Sequence, residues 1–379
     1  MRERTPIPTI HMAGPDVGAL EAEMVADAMA HGWYAPDAYK YVELFESEFA
    51  AYHNRAFGLM TPNCTTAIHL ALAGIGIGPG DDVIVPECTW VGSTAGIMHA
   101  RGNTVFADID PDTWCLSRET VSAVVTPQTR AIVAVDLYGN MPRWTELQAY
   151  ADELGIPVIE DAAEALGSKY RGVRAGKCGV ASVFSFHRTK TLTTGEGGML
   201  LTDDPDLYER CKLLRDHGRA PGSYFNTEVA YKYMPSNLQA AIGHGQFLRI
   251  EDLLKNKRDT FLRFRDNLGD QPGLQLNEEN AEMLNGAWAT AVVFSRETRV
   301  TRDLVIEALA KRSIPLRPFF YPLSSLPAYS ENRTGGPVRS PVAYEKSEYG
   351  IHLPCAMNLT TEQIDYVSGA IIEVLTEHA

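Results

Sequence analysis

The sequence predicts an α/β protein in which helices flank a mostly parallel central sheet, followed by a smaller C-terminal α+β domain. Two observations support this fold class. Short apolar runs alternate with helical stretches through the first half, a rhythm typical of parallel sheets with helices on both faces. After about Ser236 a long, charged, amphipathic stretch runs to Leu268, and it predicts a helix that leads into a second domain. We place the large domain at residues 1–245 and the small domain at 246–379.

The predicted elements follow in order along the chain. A first helix is expected over residues 16–31, where apolar residues recur at helical spacing before Gly32. The predicted strands are Val83–Val85, Thr104–Ala107, Ala131–Asp136 and Pro157–Glu160. The helices between them are Ser93–Ala100, Glu119–Val125 and Trp144–Leu154. Later elements are a strand at Trp288–Phe294, a helix at Arg302–Lys311, a proline-rich loop from Pro315 to Pro327 and a final helix at Thr360–Thr376.

Composition excludes several classes of function. The chain has 379 residues and a formal net charge of −14, which disfavours binding to nucleic acid or to an anionic membrane. Its six cysteines are scattered without metal-ligand spacing, so we expect reduced thiols and no metal site. The N-terminus lacks an apolar signal core and no apolar run reaches membrane-spanning length, so a cytoplasmic protein is expected.

The strongest local motif is the segment SFHRTKTLTTGEGG, which contains Lys190. Its glycines permit backbone angles closed to other residues, so the chain can fold tightly around a ligand. A lysine that forms a Schiff base must lose its proton, which a secluded site favours. Ser185, at the start of the segment, can donate to a phosphate. A lysine beside a glycine turn is more often a surface residue, so this segment alone does not decide the function.

A second motif, VIEDAAEA, places Asp161 at the end of an apolar strand. Open α/β sheets bind their ligands at this edge. An aspartate there can keep a pyridinium nitrogen protonated, which makes the ring an electron sink. Capping of a following helix explains an acidic residue at this point equally well.

Two further segments suit a flat, phosphorylated ligand. In PNCTTAIHL, polar residues open an apolar helix whose free N–H groups suit a phosphate, although capping by Thr65 or Thr66 is the commoner explanation. Trp90 follows a strand and can stack on a planar ring, although such a tryptophan is more often part of the core. A dinucleotide fold is disfavoured, because the glycine-rich run from Gly74 to Gly80 follows a helix and precedes a strand.

In this order and spacing, the segments resemble the DegT/DnrJ/EryC1/StrS family of sugar aminotransferases, a branch of the fold-type I pyridoxal-phosphate (PLP) enzymes. The resemblance covers nearly the whole chain and includes GIGPGDDVIVPECTW, VIEDAAEALGSKYRG, SVFSFHRTKTLTTGEGGML and YKYMPSNLQAAIG. It implies the PLP-dependent transferase fold, with PLP as cofactor and pyridoxamine phosphate as an intermediate form. Perosamine synthase-like members imply amino transfer, expected from L-glutamate, to a nucleotide-linked 4-keto-6-deoxy hexose.

The resemblance also assigns roles to individual residues. Lys190 matches the Schiff-base lysine, and Asp161 matches the partner of the pyridine nitrogen. Trp90 would stack on the ring, and Glu164 would lie near its hydroxyl side. The cofactor phosphate would be bound by Cys64, Thr65 and Ser185, together with Asn237 from a second subunit, so the resemblance implies a homodimer with a shared active site. The expected substrate-binding residues are His187, Arg188 and Tyr321.

Three positions depart from the family pattern. Cys64 stands where a glycine is usual, and a cysteine would be strained there if the position requires a positive φ, which would weaken phosphate binding. Arg188 stands where smaller residues are common, and it can be a contact to substrate phosphates or an ordinary surface arginine. Ser324 replaces a frequent histidine, so the sugar contacts near it are expected to differ.

Three other functions are alternatives to this one. A keto-cyclitol aminotransferase would use the same chemistry on a different ketone. A PLP-dependent sugar dehydratase would lack the lysine, so Lys190 argues against it. A cofactor-binding regulator without turnover would have no need of both Lys190 and Asp161, which are present here.

Overall fold

The central sheet has seven strands. The structure is a computed structural model that describes residues 9–331 and 334–378. In spatial order the strands are β1 (Phe57–Thr61), β9 (Gly198–Thr202), β8 (Ala181–Ser185), β5 (Val158–Asp161), β4 (Thr129–Val135), β2 (Asp82–Pro86) and β3 (Asn103–Ala107). Every neighbouring pair from β3 to β8 is parallel, and only β9 runs against both of its neighbours. The predicted, mostly parallel sheet is therefore confirmed.

Helices cover both faces of this sheet. The helices of the chain are α1 (Ala19–His31), α2 (Lys40–Tyr52), α3 (Cys64–Gly74), α4 (Gly92–His99), α5 (Arg118–Ser122), α6 (Trp144–Leu154), α7 (Pro205–Arg215), α8 (Asn237–Phe247), α9 (Ile250–Leu268), α10 (Arg302–Ala310), α11 (Pro341–Tyr349) and α12 (Thr361–His378). Because side chains alternate along a strand, Val83 and Val85 join one buried cluster while Ile84 joins another. The first cluster includes α3, α4 and α7, and the second includes α2, α6 and α8.

A second sheet lies in the C-terminal part of the chain. It is antiparallel, in the order β10 (Leu274–Leu276), β12 (Ala291–Phe294), β14 (Gly350–His352) and β13 (Arg317–Pro318). One side of it packs with α9, α10 and α12 in a third apolar cluster. Three short strands, β6 (Lys169–Tyr170), β7 (Val173–Arg174) and β11 (Met283–Leu284), form a third sheet. The domain boundary after residue 245 stays a prediction.

Several predicted elements differ in their bounds. The amphipathic stretch after Ser236 is two helices, α8 and α9, because the chain turns at Leu248–Arg249. The predicted strand at Trp288 begins only at Ala291, and the preceding Ala287 has a left-handed backbone with φ 60°. The helix predicted over Glu119–Val125 is the short α5. No helix within residues 9–331 and 334–378 has the length and apolar character needed to cross a membrane.

Candidate active site

Lys190 lies in the connection between β8 and β9. This segment extends the strand pairing, because the Phe186 N–H donates to the Gly197 carbonyl and the Arg188 N–H to the Gly195 carbonyl, both at 2.8 Å. Gly195 has a φ of 79°, which favours glycine, so the chain reverses direction here as the glycine-rich motif predicts. The Lys190 N–H then donates to the His187 carbonyl at 2.8 Å. The hairpin therefore holds the lysine at the carboxyl end of β8.

The Lys190 side chain is secluded, with 13% of it exposed. Its Nζ donates to Glu164 Oε1 at 2.9 Å and lies 3.7 Å from the centroid of the Trp288 ring. Glu164 is buried, and its Oε2 accepts a hydrogen bond of 3.0 Å from the Tyr138 N–H. The amine therefore sits between a carboxylate and an aromatic face, away from bulk water.

Asp161 is the last residue of β5 and is buried. Its Oδ2 accepts a hydrogen bond of 2.7 Å from the Ser93 hydroxyl, and its Oδ1 accepts one of 3.2 Å from the Ala163 N–H. Burial raises the pKa of the Asp161 carboxyl, and these two hydrogen bonds oppose the rise. Residues 162–204, which follow Asp161, contain no helix, so the alternative that Asp161 caps a helix is wrong. The carboxylate is instead held in place at the sheet edge.

Helix α3 begins beside Asp161. Asn63 caps it, because Asn63 Oδ1 accepts from the Thr66 N–H at 2.9 Å, so the alternative of capping by Thr65 or Thr66 is wrong. Cys64 is the first helical residue and has no positive φ, so the strain expected from a cysteine in place of glycine does not arise. Its Sγ lies 3.9 Å from Asp161 Oδ1. The Cys64 and Thr65 N–H groups have no acceptor within the helix, which leaves them available to an anion.

Trp90 is not a core residue, since 63% of it is exposed. It lies between β2 and α4, and its ring centroid is 6.3 Å from that of Phe320. A Cβ added to Gly92 would meet Thr65 Oγ1 at 2.9 Å and Trp90 Cδ1 at 3.0 Å. Gly92 therefore allows Trp90 and the start of α3 to approach each other, with the indole open to a ligand.

The predicted substrate-binding residues differ in their exposure and contacts. His187 Nδ1 is 2.8 Å from the Thr189 hydroxyl, and burial lowers the pKa of this histidine. The Arg188 side chain is exposed. Tyr321 is also exposed, and the Arg302 guanidinium lies 4.7 Å from the centroid of its ring. The structure therefore leaves Arg188 and Tyr321 accessible from solvent.

Two predicted phosphate contacts have different positions. Ser185 ends β8, close in sequence to Lys190, and its Oγ accepts from the His187 N–H at 3.4 Å. Asn237 begins α8, where its Oδ1 accepts from the Tyr41 N–H at 3.0 Å. Asn237 Nδ2 has no partner among the described atoms. The contacts of Asn237 are thus with the start of α2 and not with Lys190 or Asp161 of its own chain.

Sequence reasoning missed three residues that hold these groups: Ser93, Tyr138 and Trp288. Ser93 follows the recognised Trp90 closely, and Tyr138 follows the predicted strand Ala131–Asp136 closely. Trp288 lies far along the chain, and the sequence signals only a strand around it. None of the three has a local pattern that indicates which side chain it contacts.

The comparisons with known proteins identify the family. Residues 15–372 match the model of the DegT/DnrJ/EryC1/StrS aminotransferase family. The chain is 33% identical over 364 residues to GDP-perosamine synthase of Escherichia coli O157:H7, which covers 96% of this chain and 98% of that one. It is 34% identical over 358 residues to GDP-perosamine synthase of Vibrio cholerae, with coverages of 94% and 96%.

The fold comparison agrees with the sequence comparison. One similar structure is that of Spr1654 from Streptococcus pneumoniae, described as a sugar aminotransferase, in its pyridoxamine phosphate (PMP) form. It has a TM-score of 0.90 and 26% identity, over 97% of this chain and 98% of that one. Its PLP-form also gives a TM-score of 0.90 and 26% identity, over 98% and 100%. The predicted PLP-dependent transferase fold is confirmed. By sequence over nearly its whole length and by fold, this chain belongs to the DegT/DnrJ/EryC1/StrS aminotransferase family.

Proposed function

We propose that this chain is a PLP-dependent aminotransferase that moves an amino group from L-glutamate to a nucleotide-linked 4-keto-6-deoxy hexose. One observation carries the proposal: the secluded Lys190 amine and the buried Asp161 carboxylate lie at the same edge of the central sheet. Asp161 ends β5, and Lys190 follows the neighbouring parallel strand β8. The GDP-perosamine synthases that match along almost the whole chain support the choice of sugar.

Pyridoxal phosphate is the cofactor of this chain. The family is one of aminotransferases, and a relative of the same fold is known in both PLP and PMP forms. The residues present fit the group. The Lys190 amine would hold the aldehyde of PLP, and the buried Asp161 carboxylate would hold its ring nitrogen. The exposed Trp90 indole would cover the ring face, and the start of α3 would bind the phosphate.

When bound, the cofactor supplies an aldehyde that condenses with amines and a ring that accepts negative charge. Lys190 provides the amine that holds the cofactor, and Asp161 keeps the ring nitrogen protonated. Burial raises the pKa of Asp161, which means that the isolated carboxylate is disfavoured and gains strongly from a cationic partner. A protonated ring nitrogen supplies that cation.

Proton transfer is the second task of Lys190. Its free amine would take the proton from the donor's Cα and would later give a proton to the substrate carbon that receives nitrogen. Glu164, 2.9 Å from Nζ, keeps the free amine in reach of the site. The same residues serve both half-reactions, in opposite directions.

The phosphate and the substrates use the remaining residues. Cys64 and Thr65 would offer the free N–H groups at the start of α3 to the cofactor phosphate. The Ser185 hydroxyl, at the end of β8, would add a further contact to this phosphate. Trp90 presents its exposed indole to the ring face. The substrate-binding residues of the proposal are His187, Arg188 and Tyr321.

A homodimer with a shared active site is part of the proposal, with Asn237 contributed to the partner subunit's phosphate site. Large apolar side chains are exposed near the end of α1, where Trp33 is 59% and Tyr34 84% exposed. Others lie after α7, where Tyr224 is 94% and Phe225 69% exposed. Exposed aromatic groups of this size are typical of interaction surfaces and support an assembly. The cytoplasmic location stays a prediction from the sequence.

The experiment that tests the function is a substrate panel. The protein is incubated with PLP, L-glutamate and a set of nucleotide-linked keto sugars and keto-cyclitols, and the products are identified by mass. An amino sugar formed only with glutamate is expected. An aminated cyclitol alone would favour the cyclitol alternative, and a deoxy sugar without nitrogen would favour the dehydratase.

A lysine variant tests the site. Lys190→Ala should lose turnover and the borohydride-reducible chromophore, because it removes the amine that would hold the cofactor aldehyde. Lys255→Ala is the matched control, since Lys255 is 73% exposed and pairs only with Asp259 on the same helix. Full activity in Lys190→Ala would rule the proposal out.

A further inference from the structure

Trp288 contacts Lys190 in two ways. The Lys190 Nζ lies 3.7 Å from the centroid of the Trp288 ring, the geometry of a cation–π contact. The Trp288 Nε1–H donates a buried hydrogen bond of 2.8 Å to the carbonyl of Thr189, the residue directly before the lysine. One side chain therefore holds both the amine of Lys190 and the peptide that carries it.

Trp288 is itself fixed from several sides. The buried Lys257 donates to the Trp288 carbonyl at 3.1 Å and also to the Cys355 carbonyl. The Trp288 ring stacks with His352, at 5.5 Å and 20°, and with Tyr138, at 6.0 Å and 10°. Because these contacts come from α9, β14 and the segment after β4, the indole has little freedom to move.

The two groups that hold the amine are also linked to each other. Tyr138 stacks on Trp288, and its backbone N–H donates to the Glu164 oxygen that does not contact Lys190. A shift of Tyr138 would therefore disturb both the carboxylate and the indole. The carboxylate and the aromatic face act on Lys190 as one assembly.

We propose that Trp288 is a positioning residue for Lys190, which fixes the resting place of its amine through the indole face and the Nε1–H bond to Thr189. This inference rests on the proposed role of Lys190 as the cofactor lysine. In the proposed reaction the Lys190 amine would leave the cofactor in the first half-reaction and would return to it at the end of the second. A fixed resting place shortens that return, so Trp288 acts on the rate of proton transfer and not on substrate binding.

Two substitutions separate the two contacts. Trp288→Phe keeps a flat ring but removes the Nε1–H donor, and Trp288→Leu removes both. Trp144→Phe is the matched control, because Trp144 is also buried but packs in the cluster on the other face of the sheet. Thermal unfolding of each variant is measured on the apo protein. The rate at which an imidoester labels Lys190 is also measured on the apo protein, by peptide mass. The holoenzyme of each variant gives kcat and KM.

We expect Trp288→Leu to lower kcat about thirtyfold, the size of a desolvated cation–π contact, with KM for glutamate nearly unchanged. Its Lys190 should be labelled several times faster, because one wall around the amine is gone. The kcat and the labelling rate of Trp288→Phe should lie between those of wild type and Trp288→Leu. Trp144→Phe should match wild type in kcat and in labelling rate.

Two results would overturn the proposal. Wild-type labelling and kcat in Trp288→Leu would show that the indole does not position the amine. Equal losses in all three variants would show only a general effect of removing a buried tryptophan. If Lys190→Ala stayed active, the proposed function would fail, whereas the labelling of apo protein would still measure whether Trp288 holds the amine.

Discussion

The Lys190 amine and the Glu164 carboxylate form a buried ion pair, with Nζ 2.9 Å from Oε1. The other oxygen of Glu164 accepts from the Tyr138 N–H at 3.0 Å, so both of its oxygens are used. A charge removed from water is tolerated when it is paired and hydrogen-bonded, as here. The pair joins the segment after β5 to the hairpin between β8 and β9, and it holds the amine when the cofactor does not.

Replacing Glu164 should affect rate and stability differently in two variants. Glu164→Gln can still accept from the Tyr138 N–H but loses the ion pair, so we expect kcat to fall about tenfold with little loss of folding. Glu164→Ala leaves a buried ammonium and a buried N–H unpaired, which should lower the free energy of unfolding by about 2–4 kcal/mol. Urea unfolding of the apo proteins and steady-state kinetics measure both effects. Wild-type kcat in Glu164→Gln together with wild-type stability in Glu164→Ala would show that the carboxylate does not support the site.

Ser93 should matter through Asp161, whose Oδ2 accepts its hydroxyl at 2.7 Å. Ser93→Ala removes this donor and frees the carboxylate to turn, so we expect PLP affinity and kcat each to fall about fivefold to tenfold. Absorbance titration of the apo protein with PLP gives the affinity. Ser93→Thr, which keeps the hydroxyl, should recover most of the loss, and Ser122→Ala on the exposed side of α5 should lose nothing. An equally impaired Ser93→Thr would argue that packing and not the hydrogen bond is responsible.

The sequence predicts those parts of the fold and site that depend on local pattern. Asp161 and Lys190 lie within short motifs, and the rule that parallel strands bind ligands at their carboxyl ends places the aspartate correctly. The capping alternatives at Asp161 and at Thr65 or Thr66 were wrong for the same reason, because the pattern of residue types does not reveal where a helix begins.

The remaining features depend on contacts between distant segments. Trp288 Nε1 bonds a carbonyl 99 positions earlier, and the Ser93 hydroxyl bonds a carboxylate 68 positions later. Periodicity carries no information on such pairs. The strands β1, β8 and β9 were also not predicted. Strands β8 and β9 flank the glycine-rich segment that was interpreted as a ligand loop.

Removing the Asp161 charge should stabilise the apo protein while abolishing activity. Burial raises the folded-state pKa of Asp161 above its unfolded value, so the folded protein binds more protons in that window and loses stability as pH rises through it. Asp161→Asn has no charge to bury. Near pH 7 its free energy of unfolding should therefore be about 1–3 kcal/mol higher than that of wild type. The difference should shrink as the pH falls towards about 4, the unfolded pKa of aspartate. A pH series of urea unfolding measures it, and a constant difference across the series would contradict this account.

Cys64 should be nearly neutral for cofactor binding. The sequence pattern raised the expectation that a cysteine in place of glycine weakens the phosphate site, but Cys64 is the first residue of α3 and has no positive φ. Burial, together with the nearby Asp161 carboxylate, raises the pKa of the Cys64 thiol well above its usual range, so the thiol stays protonated and uncharged beside that carboxylate.

Cys64→Gly and Cys64→Ala test this account together. We expect both to bind PLP within about threefold of wild type, because the helical N–H groups that face the phosphate do not depend on the side chain. Cys64→Gly alone should lose about 0.5–1 kcal/mol of stability, the ordinary cost of glycine within a helix. PLP titration and urea unfolding decide the matter: PLP affinity raised tenfold in Cys64→Gly but not in Cys64→Ala would mean that the cofactor-bound protein requires a backbone angle at this position that cysteine resists.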